Sequence, residues 1–169
     1  PPAFPLSQNE LDELYLLPYT RRVHPFYEAQ GSVKAIETVR FSITAVRGCF
    51  GNCAFCALSN HQTTHIVSRS EESILEEVRR LTKMPEFRGT IADVGGPTAN
   101  MYGSECDVRQ SVGQCAKYCL FPQVCDSLKR QDHSANFIEL LKRIREVPKV
   151  KHVFVESGIR HDLILSSSN

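Results

Sequence analysis

Val46-Arg47-Gly48-Cys49-Phe50-Gly51-Asn52-Cys53-Ala54-Phe55-Cys56 sets three cysteines within eight residues, at the spacing C-x3-C-x2-C. It follows an alternating run in which Val39, Phe41, Ile43 and Ala45 face away from Arg40, Ser42 and Thr44. That period of two predicts a strand from Thr38 with one polar face. Thiolates are soft ligands that suit iron–sulfur clusters, copper(I) and zinc. A mononuclear structural zinc site uses four ligands, with its cysteines usually in close pairs. Three thiolates on one loop instead suit a four-iron cluster that keeps one iron open for another ligand.

Beyond the loop the pattern is loop–helix–strand, repeated. Ser70 caps a predicted helix with Glu71 and Glu72 in its first turn. Ile74, Val78 and Leu81 stand at helical spacing, Arg79, Arg80 and Lys83 lie near its C-terminal end, and Pro85 stops it. Residues 89–94 read as a second strand ending at Gly95-Gly96. Residues 134–147 read as a second helix with Phe137, Ile138, Leu141 and Ile144 as its buried stripe. Residues 151–157 read as a third strand, and a third helix begins near His161. This order predicts parallel α/β architecture.

Residues 38–169 therefore hold about three βα units of a partial (β/α) barrel. Three strands cannot close a barrel, and a full eight-unit barrel runs to about 250 residues. An open doubly wound sheet is the alternative. Residues 97–131, rich in cysteine and glycine and without a sustained period, read as an insertion. Residues 1–37 read as a helical and irregular N-terminal extension: Ser7-x-x-Glu10 has capping-box spacing, and Leu11, Leu14 and Leu17 supply an apolar face. The basic, aromatic stretch 19–27 is expected to pack against the core as a loop. The chain opens on Pro1-Pro2 and ends at Ser166-Ser167-Ser168-Asn169 as a new element begins, so a piece of a longer protein is expected.

The 169 residues suffice for one domain with a core, and 41% apolar with 23% charged residues is ordinary for a globular protein. A net charge of +1 makes no general case for nucleic acid or membrane surfaces. No apolar run approaches the roughly 20 residues that span a bilayer. Seven cysteines without a signal-peptide pattern favour metal binding or redox chemistry over a disulfide framework, and a cytoplasmic location is expected.

Several motifs together carry a resemblance. Cys49-x3-Cys53-x-Phe55-Cys56 matches the signature of the radical S-adenosylmethionine (SAM) enzymes, including the aromatic residue before the last cysteine. Arg47 through Cys56, Ser68-Arg-Ser-Glu-Glu-Ser73, Gly95-Gly-Pro-Thr-Ala-Asn-Met-Tyr102 and Asp132-His-Ser134 resemble the YgiQ-type radical SAM proteins across nearly the whole chain. The resemblance implies that Cys49, Cys53 and Cys56 hold a [4Fe–4S] cluster whose open iron binds SAM. It further implies reductive cleavage of SAM to a 5′-deoxyadenosyl radical that takes hydrogen from a substrate. An electron donor such as flavodoxin or ferredoxin is implied as a partner. Phe55 would lie near the adenine, its plainer reading being a core aromatic under the loop. Gly95, Gly96 and Thr98 would occupy the place of the family's Gly-Gly-Glu-type motif, which binds the SAM amino group. Pro97 departs from that motif, so backbone carbonyls, Thr98 or another residue would make the contact. Neither the substrate nor a catalytic side chain is assigned.

A second group, Cys106, Cys115, Cys119 and Cys125, could supply four ligands to an auxiliary iron–sulfur cluster or a zinc site; ordinary buried thiols are the alternative. His61 and His65 stand four apart, but the intervening threonines favour a loop over a metal-binding helix. His133 follows Asp132 at a helix start, where capping accounts for it. Asp93 and Glu156 are candidates to point into a barrel. From another class, a non-enzymatic zinc- or iron–sulfur-binding interaction module would use the same thiols.

Overall fold

The computed structural model describes residues 5–108, 115, 117–129 and 131–166. The predicted insertion falls outside the described residues at 109–114, 116 and 130.

Among the described residues six short strands form: β1 (Ser42–Thr44), β2 (Val46–Arg47), β3 (Val67–Ser68), β4 (Thr90–Ile91), β5 (Asp93–Gly95) and β6 (His152–Val153). β1 pairs in parallel with β5, Thr44 opposite Gly95, and β4 pairs in parallel with β6, Thr90 opposite His152. Ala92, between β4 and β5, donates its amide to the Phe41 carbonyl at 3.0 Å, and Val94 donates to Phe154 at 3.1 Å. Residues 90–95 thus run as one central strand between β1 and β6. The chain has mixed α/β architecture with parallel pairing, and the described residues close no barrel.

Two long helices cover this sheet. We number all helices in chain order: α1 (Gln8–Leu16), α2 (Pro25–Glu28), α3 (Ile36–Val39), α4 (Leu58–Gln62), α5 (Glu71–Leu81), α6 (Asp126–Lys129), α7 (Ala135–Glu146) and α8 (His161–Ser166). The Ser70 hydroxyl caps α5 by accepting from the Ser73 amide at 3.2 Å. Ile74, Val78 and Leu81 of α5 are buried against Ile43, Ile91 and Val94 of the strands and against Phe137, Leu140 and Ile144 of α7. Removing a side chain of this size from water contributes about 1.5–3 kcal/mol, so this layer of two mutually packed helices on the sheet is the main stabilising element.

Four expectations need correction. The alternation begun at Val39 is not all strand: residues 36–39 form the α3 turn with Val39 exposed, and pairing starts at Ser42. The stripe on α7 is Phe137, Leu140 and Ile144, because Ile138 turns to the surface while Leu140 faces the sheet. Residues 58–62 are helical and include His61, but Thr63 breaks the helix at φ 73°, so His61 and His65 share no helix face. In residues 19–27 the aromatics Tyr19, Phe26 and Tyr27 are exposed, and the attachment is made by Arg21.

That attachment is ionic. Arg21 donates to the carbonyls of Arg40 (2.7 Å) and Ser42 (2.9 Å) and pairs with Glu77 of α5. Glu77 also pairs with the fully buried Arg69, whose guanidinium donates to the Thr44 carbonyl (3.1 Å) and the Ser73 hydroxyl (2.8 Å). Its face stacks on Tyr15 of α1 at 4.0 Å. One buried carboxylate thus ties the N-terminal arm, the end of β1 and helix α5. α1 has the expected capping box, with the Glu10 carboxylate accepting from the Ser7 amide at 2.8 Å, but only Leu11 of its apolar face is buried. The Ser7 amide and hydroxyl hold the Glu10 carboxyl below its usual range.

Candidate metal and cofactor site at the strand ends

The cysteine loop leaves the C-terminal end of the sheet. β2 and β3 form a small antiparallel pair, Val46 opposite Ser68, that carries the chain out of β1. Gly48 adopts φ 83°, and a Cβ there would sit 1.9 Å from the His65 carbonyl, so the turn into the loop requires glycine. Ser59 of α4 latches the loop: its hydroxyl donates to the Cys49 carbonyl and accepts from the Asn52 amide, both at 3.1 Å. The Cys49 amide donates to Thr63 at 3.0 Å and the Cys56 amide to Cys53 at 3.0 Å. Phe50 is the aromatic anchored in the core, at 3% exposure, whereas Phe55 is 92% exposed. The plainer reading of Phe55 as a core residue is therefore overturned.

The second strand brings its glycines to the same place. The Ala45 amide donates to Gly95 at 2.7 Å. A Cβ on Gly96 would lie 2.2 Å from the Val46 carbonyl, so that close approach of two backbones also requires glycine. Thr98, buried, puts its hydroxyl 3.8 Å from the Cys49 sulfur. The thiol loop and the Gly95-Gly96-Pro97-Thr98 turn are thus adjacent at the carboxyl ends of two paired parallel strands, where open α/β sheets bind ligands.

None of the seven cysteines forms a disulfide among the described residues. At Gly51 a Cβ would meet Arg160 Nη1 at 3.0 Å, the Cys49 sulfur at 3.2 Å and the Cys53 sulfur at 3.6 Å, so both thiols border a position that glycine keeps clear of a side chain of its own. Among the described residues no three His, Cys, Asp or Glu side chains converge closely enough for a single metal ion; a polynuclear cluster spaces its ligands more widely. Soft thiolate donors on one loop, beside a position that Gly51 keeps clear, fit such a cluster.

A third loop completes the rim. The Asp93 carboxylate, at the start of β5, accepts from the Glu156 amide (2.8 Å), the Ser157 amide (3.1 Å) and the Ser157 hydroxyl (2.7 Å). Asp93 is thereby occupied in shaping the loop after β6, and Glu156 is exposed. The Ser157 hydroxyl lies 3.2 Å from the Gly96 amide, and the Ala99 amide donates to the Gly158 carbonyl at 2.9 Å. Arg160 then reaches the Cys53 sulfur, 3.3 Å from Nη1. The Asn100–Arg160–Asp162 constellation went unread in the sequence, since no periodicity or spacing links positions 60 residues apart.

A model of the Radical SAM N-terminal family matches residues 1–42. A UPF0313 protein of Thermotoga petrophila is 63% identical over 169 residues, all of this chain and 30% of that protein. One from Methanocella arvoryzae is 55% identical over 166 residues, 98% of this chain and 27% of the relative. One from Clostridium botulinum (strain Okra / Type B1) is 50% identical over 170 residues, 100% of this chain and 26% of the relative. The chain belongs to the radical SAM superfamily. It spans less than a third of the length of these curated relatives.

In this radical SAM chain no three of the second cysteine group come together among the described residues. Cys119 and Cys125 pack with Cys49, Phe50, Met101 and Leu128 in an apolar cluster, and the Cys125 amide donates to Cys119 at 2.8 Å. Cys106 and Cys115 are partly exposed, Cys106 beside a cavity of about 310 Å3 also bordered by Phe50, His65 and Ser104. His133 is no cap. Asp132 caps α7, accepting from the Ser134 and Ala135 amides at 3.0 Å each, while His133 is buried. Its Nε2–H donates to the Leu128 carbonyl at 2.9 Å, leaving Nδ1 to accept from the Ser104 hydroxyl at 2.8 Å. Burial pushes the imidazole below its usual range, outweighing the Leu128 bond and Asp132. Among the described residues no helix is long and apolar enough to cross a membrane.

Proposed function

We propose that this chain is the N-terminal part of a radical SAM enzyme's (β/α) barrel, carrying the cluster loop and part of the SAM site. Cys49, Cys53 and Cys56 would hold a [4Fe–4S] cluster, and Gly95, Gly96 and Thr98 would meet SAM. When bound, such a cluster supplies one electron to SAM and so a 5′-deoxyadenosyl radical able to take hydrogen from a substrate. The observation that carries this reading is the contact of Cys49 with Thr98 across two paired strands. It sets the thiol loop beside the Gly95–Thr98 turn.

The chain's own groups would do the rest. The Gly95–Gly96 turn would present backbone carbonyls to SAM, and Thr98 offers a hydroxyl where Pro97 offers no side-chain acceptor. Phe55, exposed on the loop between two cysteines, is free to lie against the adenine. Electrons would come from a small carrier such as flavodoxin or ferredoxin. The substrate would be chosen by parts of the protein beyond these residues. Cys106, Cys115, Cys119 and Cys125 are candidates for an auxiliary centre, whose assembly would have to draw these four thiols together.

The test is spectroscopic, on the full-length protein purified without oxygen. It is expected to be brown, with broad visible absorption that bleaches on dithionite. A colourless protein carrying zinc would overturn the reading and support the interaction module.

A further inference from the structure

Arg160 approaches the cluster loop from the loop after β6 with its geometry fixed at both ends. Its backbone is clamped by the buried Asn100 amide: the Arg160 N–H donates to Oδ1 at 2.9 Å, and Nδ2 donates back to the Arg160 carbonyl at 3.0 Å. Asn100 lies two residues beyond Thr98, so the turn that would meet SAM also sets this arginine's main chain. The guanidinium is held by Asp162, with Nε 3.0 Å from Oδ1 and Nη2 2.5 Å from Oδ2. This leaves Nη1 for the Cys53 sulfur at 3.3 Å. The same nitrogen lies 3.0 Å from where a Gly51 Cβ would be. The bidentate pair with Asp162 keeps Arg160 charged and holds the Asp162 carboxyl below its usual range.

We propose that Arg160 is a positioning residue for the Cys53 thiolate, giving that sulfur a fixed N–H donor that sets the reduction potential of the bound cluster. The inference rests on Cys53 being a cluster ligand. A hydrogen bond and a positive charge at a ligand sulfur draw electron density from the cluster and favour its more negative, reduced form, so they raise the potential. The long rigid fork suits this task better than a lysine, whose flexible stem Asp162 cannot hold in the same way. Asn100 would make the arrangement sensitive to the Gly95–Thr98 turn, linking the SAM side of the site to the cluster's electronics.

The test is a redox titration, followed by electron paramagnetic resonance, of the anaerobically reconstituted full-length protein and its R160M and R160K variants. Iron and sulfide per chain are measured alongside. R160M is expected to move the midpoint to a more negative potential at unchanged iron content, with R160K between R160M and wild type. Should R160M fail to fold, R160Q, which keeps an amide donor without the charge, is expected to shift in the same direction. A wild-type cluster whose midpoint R160M, or R160Q in its place, leaves unmoved overturns this inference alone. A wild-type protein that assembles no iron–sulfur cluster overturns the reading of Cys53 as well.

Discussion

Glu77 accepts from two guanidinium groups, Arg69 and Arg21, in a region from which water is largely excluded. Removing one partner of a buried pair leaves charge that nothing compensates, which costs about 3–5 kcal/mol. Glu77→Leu in the full-length protein is therefore expected to lower stability by roughly that amount, read as the midpoint of urea unfolding. Exposed pairs such as Arg80–Glu76, 3.2 Å apart, are worth less than about 1 kcal/mol, and Glu76→Gln is the control. His133 adds a pH dependence. It is buried in the neutral form, so its folded pKa lies below the unfolded value of about 6.5. Above that value both states are neutral and the contribution is complete. As pH falls below it, the unfolded state takes the proton first and stability is lost down to the folded pKa. His133→Asn should flatten the stability profile below the unfolded value of about pH 6.5, followed as thermal midpoint against pH. Neither residue announced itself in the sequence. Arg69 looks like an ordinary charge before a helix and Glu77 like one on it, and His133 looks like a neighbour of a cap, because their burial depends on partners up to 57 residues away.

At the scale of elements, the local signals were the reliable ones. Helix α5 was legible because a serine cap, two first-turn glutamates and an apolar period agree on it. The β-α-β-α-β order followed from the same kind of evidence. Strand limits were not legible, since ladders of two or three residues leave little pattern and Val39 continues the alternation into a helical turn. The three cysteines could be read as one unit, but the loop's framing by Ser59, Thr63 and His65 depends on the short β2–β3 pair, whose residues alternate too briefly to show. That framing makes a sharp prediction. A Cβ at Gly96 meets the Val46 backbone at 2.2 Å, and no flexible side chain is there to give way. Gly96→Ala is expected to cut cluster iron per chain by more than half and to lower the thermal midpoint. Gly158→Ala, with open space around its Cβ, should leave both unchanged.

For the whole molecule, three parallel strands lie in chain order, and β6 forms the far edge among the described residues. Phe154, Ile159 and Leu165 are exposed on and after that edge, with Leu165 at 85%. An unpaired parallel edge with apolar side chains is where further strands of the proposed barrel would add. The site would then have two walls: the thiol loop, glycine turn and Arg160 loop from this chain, and whatever selects substrate from the remainder. The sequence showed the first wall through its cysteines and glycines, while the third loop emerged only from the packing of residues 156–160 against Asp93 and Asn100. The central claim is that Cys49, Cys53 and Cys56 hold the cluster that cleaves SAM. It is tested most directly by incubating anaerobic full-length protein with SAM and dithionite and quantifying 5′-deoxyadenosine for wild type and Cys53→Ala. The account predicts steady formation of 5′-deoxyadenosine by wild type and none above background by the variant. Equal formation by both would contradict it.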